Sequence, residues 1–201
     1  FASDTAYYVD KRSRGNDVNI YLLGADHHGY VNRLRAVAAC AGDNPDKNVE
    51  VLIGQLVKML KNGQEVRLSK RAGNIITLED LVEEVGTDAA RYTLTRYPVD
   101  TPLTLEIDLL TSHTNDNPVF YVQYAHARIS TLLQRAGTID VSDIQSANLI
   151  HEEKEIIKLL THFPQVIHEA ASGFSPAIVA NYIYDLVKTY NHFYQAVKIL
   201  S

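Results

Sequence analysis

At Asn117-Pro118 the hydrophobic pattern of this chain changes character. An asparagine able to cap, followed by proline at the first helical position, starts a helix and forbids its extension backwards. From there the spacing is helical throughout. Val119, Val122, His126, Ile129 and Leu133 share one stripe that ends at Gly137, a C-terminal stop. Thr138 to Ala147 reads as a linker. Leu149, Ile156, Leu159, Leu160, Phe163, Val166, Ile167 and Ala170 form a second stripe with a bend expected at Pro164. Ser175-Pro176 opens a last helix whose stripe runs from Ile178 to Val197. Such stripes predict a helical bundle core.

Before that point, strand and helix signals alternate. Val18 to Leu23 is a β-rich run ending in Gly24, followed by a predicted helix from about Gly29 to Ala41, with Tyr30, Leu34, Val37 and Ala41 on one face. Val49 to Ile53 reads as a second buried strand. An apolar segment to Leu60, the turn Lys61-Asn-Gly63 and Glu65 to Leu68 predict a hairpin. Thr77-Leu-Glu-Asp80 has the form of a capping box, Gly86 stops its helix, and Thr87 is expected to cap another from Asp88 to about Tyr97. The expected architecture is therefore α/β over residues 1–111 and an all-α bundle over 112–201.

The most specific stretch is Gly63-Gln-Glu-Val-Arg-Leu-Ser-Lys-Arg-Ala-Gly-Asn74. It offers a cation on a long stem (Lys70), a hydroxyl (Ser69) and glycines that let backbone N–H groups turn toward an anion. A solvated basic turn and a phosphate-binding loop both fit that composition. A strand–glycine–helix unit places ligands at the carboxyl end of a strand, so Gly24 would admit a nucleotide close to the backbone. Asp26 would accept from ribose hydroxyls, and His27 and His28 would contact base or phosphates. Adjacent histidines also suggest a metal, but no cysteine cluster or spaced His/carboxylate set accompanies them, so no metal site is expected. Asp4 reads equally well as a helix-start acid and as a ligand group.

Composition bounds the partners. The 201 residues, 46% hydrophobic and 21% charged, describe an ordinary globular chain, and no apolar run approaches a membrane span. A lone cysteine excludes an internal disulfide and fits a reducing compartment. Lying in an Ala-rich helical stretch, Cys40 is expected to be a small buried hydrophobe. Net charge is −5, and residues 1–111 hold 13 basic and 16 acidic groups against 6 and 8 in the remainder. Neither part is a basic domain. Any nucleic-acid contact must be local, with stacking contributing alongside charge, and exposed aromatics near Tyr121 and Tyr124 are the stacking candidates.

Three ordered blocks carry a family resemblance: Gly24-Ala-Asp-His-His-Gly-Tyr30, Arg67-Leu-Ser-Lys-Arg71, and Asp116-Asn-Pro-Val-Phe-Tyr-Val-Gln-Tyr-Ala-His-Ala-Arg128. The middle block resembles the KMSKS signature of class I aminoacyl-tRNA synthetases, and the set resembles the arginyl enzymes. The signature's first and last residues are Arg67 and Arg71 here, while its critical lysine is retained as Lys70.

The resemblance implies ATP-dependent ligation of arginine to tRNA(Arg) in the cytoplasm, with Mg2+ as counter-ion. It further implies the later part of a Rossmann-like catalytic domain followed by a helical anticodon-binding domain. Lys70 and Ser69 take the catalytic role, and Gly24, Asp26, His27, His28, Leu68 and Lys70 form the ATP set. Asp4 pairs with the substrate guanidinium, while Tyr121, Gln123, Tyr124 and Arg128 face tRNA. Arg91 and Arg96 read as solvated helix charges, in a stretch that resembles the family's stem-contact region, where they would approach tRNA phosphates. The HIGH signature is not among these residues, so the chain is expected to be a truncated part of such an enzyme, inactive alone. Another class I synthetase and a non-catalytic RNA-binding helical module are the rival readings.

Overall fold

The structure, a computed structural model, describes residues 1–66, 77–138 and 148–200. They fall into two compact units, one of Phe1–Lys58 with Val99–Thr104, the other of Met59–Pro98 and the chain from Leu105 onward. A small α/β part is followed by a mostly helical one, as the change of pattern at Asn117 implies.

In the first unit, helix α1 (Ala2–Ser13) precedes strand β1 (Asn19–Gly24). A 3-10 turn (Ala25–Tyr30), α2 (Val31–Cys40) and the short α3 (Pro45–Asn48) then lead to β2 (Val49–Gly54). β1 and β2 pair in parallel, from Asn19 opposite Val49 to Gly24 opposite Gly54. A parallel pair requires a crossover connection, and the 3-10 turn with α2 supplies it. Tyr8, Tyr21, Leu34, Ala38 and Val49 form the core. Cys40 departs from expectation, for it is exposed. Leu34 and Ala38, one helical turn apart, set the buried face of α2, and Cys40 lies two residues on, roughly 200° around the axis.

The fully buried Tyr8 donates its hydroxyl to Asp43 Oδ2 at 2.6 Å, while Arg12 Nε donates to Asp43 Oδ1 at 2.8 Å. Burial first, then the bond to Asp43, pushes the Tyr8 phenol up to about 12. The Tyr8 bond, then Arg12, holds the Asp43 carboxyl below the usual carboxylate range.

Strand β3 (Val57–Lys61) lies between β4 (Gln64–Glu65) and β5 (Leu103–Glu106) in a three-stranded sheet, β3 entering the second unit at Met59 and β5 at Leu105. The β3–β4 hairpin turns on Asn62 and Gly63, both at positive φ (52° and 71°), the pattern of a type I′ turn. Helix α4 (Leu78–Val85) starts with the expected capping box, Asp80 N donating to Thr77 Oγ1 and Thr77 N to Asp80 Oδ2. Gly86, at φ 82°, both ends α4 and begins α5 (Thr87–Thr95). Thr87 is therefore not a cap: one glycine serves both helices and leaves no separate position for it. The short α6 (Ile107–Leu110) precedes the bundle of α7 (Pro118–Ala136), α8 (His151–Ser172) and α9 (Ala177–Ala196).

Buried Asn117 uses its whole amide at the start of α7. Its Oδ1 accepts from Val119 N at 3.0 Å and Phe120 N at 3.5 Å, and its Nδ2 donates to the carbonyls of Leu110 at 3.0 Å and Ser112 at 2.7 Å. Two expected stripes need correction. On α7 the fully buried residues are Val119 and Ala125, while His126 and Leu133 are exposed. Ala125 is the small residue that lets Val187 and Tyr190 of α9 approach. On α8 only Val166 is fully buried, and Leu160, Phe163 and Ile167 remain exposed. Among the described elements its helical neighbour is α9, and one neighbour cannot cover so wide a stripe. Pro164 lies inside α8, and α9 ends at Ala196, one residue before the expected Val197.

Asn117→Ala removes a cap and leaves two carbonyls without donors, so it should destabilise the fold by about 2–4 kcal/mol in chemical denaturation. Asn117→Asp, which keeps the capping oxygen, should lose less.

The Tyr8–Asp43 pair sets a pH window. A raised phenol contributes stability that is complete below pH 10 and lost as pH rises through about 12. A lowered carboxyl contributes stability present above its unfolded range and lost as pH falls through its folded value. Urea midpoints measured against pH should decline at both ends, and Tyr8→Phe should flatten the alkaline decline.

Candidate functional site

Two groups of side chains stand out, one in each unit. In the first, the parallel pair ends in two glycines, Gly24 and Gly54, directly opposite one another. A Cβ on Gly24 would lie 2.7 Å from Asp26 Oδ1, so any other residue there would make the exposed carboxylate move aside. Asp26 and His27 are exposed and share a 2.9 Å contact between Oδ1 and Nδ1, while the His27 ring meets Tyr30 edge-on at 5.6 Å. His28 is exposed as well. Exposed acceptors and imidazoles at the carboxyl end of a parallel strand can receive ribose hydroxyls and phosphate oxygens.

Asp4 lies half-buried in the first turn of α1. Its charge reaches Tyr21 on β1, whose phenol is raised by burial, then by Tyr7, then by Asp4. The Tyr21 hydroxyl finds no hydrogen-bond partner among the described residues. Leu68, Ser69 and Lys70 lie outside the described residues. Among the described ones, no three His, Cys, Asp or Glu side chains gather to hold a metal ion.

In the second unit, α7 and α9 build an aromatic ladder around one guanidinium. Phe120 stacks on Tyr124 with centroids 5.7 Å apart and planes at 13°, and His113 meets Phe120 edge-on. The Arg128 guanidinium stands 4.7 Å from the Tyr124 ring and 4.5 Å from the Tyr194 ring, and donates to Asn191 Oδ1 at 3.1 Å. Helical spacing makes this possible, because Phe120, Tyr124 and Arg128 are each four residues apart. Tyr124 and Arg128 line a groove of about 610 Å³ whose walls also hold Arg135, Tyr194 and Lys198. Three cations beside exposed π-faces suit an anionic chain with unstacked bases.

The other two expected RNA residues are placed differently. Tyr121 packs against Tyr184 of α9 at 5.5 Å, and Gln123 Nε2 donates to Asp88 Oδ2 of α5 at 2.9 Å. Arg96 is not the solvated charge its position suggests, since its guanidinium covers the Tyr184 ring at 4.2 Å. Arg91 is exposed, as expected. Sequence reasoning misses Tyr194 and Lys198 as groove residues. Tyr194 reads there only as one member of a core stripe, and a partner 66 positions beyond Arg128 leaves no periodic signal.

The chain is similar to known proteins over its whole length. Residues 122–201 match the family model described as DALR anticodon binding domain. An arginine–tRNA ligase of Frankia alni is 52% identical over all of this chain, which spans 37% of that relative's length. A solved structure from Campylobacter jejuni, assigned as an arginyl-tRNA synthetase, superposes with a TM-score of 0.85 at 32% identity, covering all of this chain and 44% of that one. The Thermus thermophilus arginyl-tRNA synthetase shares the fold, with a TM-score of 0.68 at 21% identity over 90% of this chain and 34% of its own. No described helix is long and apolar enough to cross a membrane. Sequence and fold together make the chain similar to a little over one third of an arginine–tRNA ligase, with residues 122–201 matching the DALR anticodon binding domain.

Proposed function

We propose that the protein carrying this chain is an arginine–tRNA ligase acting in the cytoplasm. ATP and arginine give arginyl-adenylate and pyrophosphate, and the arginyl group then passes to the terminal ribose of tRNA(Arg). The observation that carries the reading is the glycine-ended parallel pair with Asp26 and His27 exposed beyond it, in a chain that aligns throughout with a ligase.

No covalent enzyme nucleophile is needed for this chemistry. The protein's task is to position the reactants and to stabilise charge while the arginine carboxylate attacks the α-phosphate. In this reading Gly24, Asp26, His27 and His28 hold the nucleotide with Leu68 and Lys70, and Lys70 with Ser69 takes the charge on the departing pyrophosphate. Mg2+ enters with the nucleotide, bound mainly by phosphate oxygens and water, as is usual for this ion. Asp4 receives the substrate guanidinium. Tyr124 and Arg128 offer stacking and charge to unpaired bases of the tRNA, with Tyr121 and Gln123 beside them on α7.

A second reading, an RNA-binding module without catalysis, draws on the Tyr124–Arg128–Tyr194 groove alone. Arginine-dependent exchange of pyrophosphate into ATP by the intact protein separates the two, and other amino acids in place of arginine separate the synthetases. Lys70→Ala should lower the exchange kcat by about two to three orders of magnitude, the scale for one preorganised charge contact, with the arginine KM little changed. A near-normal rate in single-turnover adenylation would remove Lys70 from the mechanism. Asp4→Asn should weaken arginine binding by roughly 1.5–3 kcal/mol and leave ATP binding unchanged. Calorimetry with both ligands checks this, and equal losses would make Asp4 structural.

A further inference from the structure

We infer that Tyr30 is a positioning residue for the nucleotide site. Its ring holds the His27 imidazole in the orientation that meets ATP, and His27 makes the contact. This assignment rests on the ligase reading above and adds a residue that the reading leaves out.

Three observations lead to it. First, Asp26 alone does not hold His27. Their 2.9 Å contact joins side chains that are 80% and 50% exposed, and a contact so open to water contributes little. Its effect is on the tautomer. A carboxylate can only accept, so His27 Nδ1 carries the proton and Nε2 is left for a ligand. The plane of the imidazole is set by Tyr30, which it meets edge-on with centroids 5.6 Å apart and planes at 61°.

Second, the Tyr30 ring is itself held from outside the turn. The Arg33 guanidinium, in the first turn of α2, stands 5.2 Å from its centroid, within cation–π range. On the α1 side the Phe1 ring lies 5.9 Å away with planes at 50°. Phe1 is fixed in turn, because its carbonyl accepts from Thr5 N at 3.1 Å and Thr5 Oγ1 at 3.2 Å in the first turn of α1. Tyr30 is half-buried among these neighbours, whereas Asp26, His27 and His28 are all exposed. It is the anchored side chain of a turn whose polar members face water.

Third, taking that ring away would release His27 without releasing Asp4. Helix α1 is tied down by Tyr8 and Arg12, both bonded to Asp43, and neither tie involves Tyr30. The nucleotide side of the site and the guanidinium side therefore respond separately to a change at residue 30. Every contact named here engages the Tyr30 ring, and none needs its hydroxyl.

The test uses the intact protein and arginine-dependent exchange of pyrophosphate into ATP. Tyr30→Ala should raise the ATP KM about three- to tenfold, the range for one aromatic pair. The kcat and the arginine KM should stay within about twofold, the pattern of lost nucleotide binding with the chemistry intact. Tyr30→Phe keeps the ring and should restore the wild-type ATP KM. Tyr30→Leu keeps apolar bulk without a ring and should match Tyr30→Ala. Because a KM does not depend on how much of the protein has folded, partial misfolding leaves the comparison sound. A cycle with His27→Ala then decides the route: Tyr30→Ala added to His27→Ala should raise the ATP KM no further.

Effects that multiply in the double variant would place Tyr30 on the nucleotide itself or in the fold alone, and would overturn the inference. An ATP KM unchanged in Tyr30→Ala or in His27→Ala overturns it as well, while leaving the ligase reading intact. A wild-type protein without arginine-dependent exchange overturns the ligase reading itself, and this inference with it.

Discussion

One buried amide governs where the helical part begins. Asn117 spends both donors on the chain arriving from α6 and its oxygen on the first turn of α7. That fixes the starting residue of α7, and a helix that starts at a fixed residue has a fixed phase. Phe120, Tyr124 and Arg128 then fall on one line, Tyr121 and Gln123 on the sides turned toward α9 and α5. A start displaced by one position would turn every one of these side chains by about 100°. The separation of groove-facing from helix-facing residues on α7 is thus a consequence of one side chain at its first turn.

What could be read from the sequence was what depends on near neighbours. The Asn117-Pro118 start, the Thr77–Asp80 box, the Asn62-Gly63 hairpin and the strand ending at Gly24 each involve residues a few positions apart, and all appear in the structure. What could not be read depends on which partner arrives from far along the chain. Tyr8 and Asp43 are 35 residues apart, as are Gln123 and Asp88. No periodicity marks such a pair. Composition misplaces Cys40 because it suggests burial while helical phase decides it, and Ala125 escapes notice because a small side chain contributes little to an apolar stripe. The same limit applies to α8, where hydrophobicity is visible in the sequence but the number of covering neighbours is not.

The two candidate groups differ in how they are held. The Gly24–Tyr30 turn presents exposed side chains from a short 3-10 segment, with Asp26 and His27 bonded mainly to each other. Arg128, by contrast, is enclosed by two rings and an asparagine before any ligand arrives. The part-exposed guanidinium keeps N–H donors besides the one given to Asn191, and these are where a planar anionic group or a base acceptor can be met. Tyr190 below it is buried, with its phenol raised by burial and by Tyr194 and lowered by Arg128, so the floor of this ladder stays neutral.

Gly86 carries a consequence for how such a chain can change over time. Because one residue closes α4 and opens α5, the angle between the two helices is set by a single φ/ψ pair, 82° and 155°. That pair lies where side chains other than glycine are strained. There is no slack in which to hide an added or deleted residue, since one insertion would rotate the following helix by about 100° and separate Asp88 from Gln123. Sequence length between Thr77 and Asp88 should therefore tolerate far less drift than its exposed, polar composition suggests, with substitutions common and gaps almost never accepted.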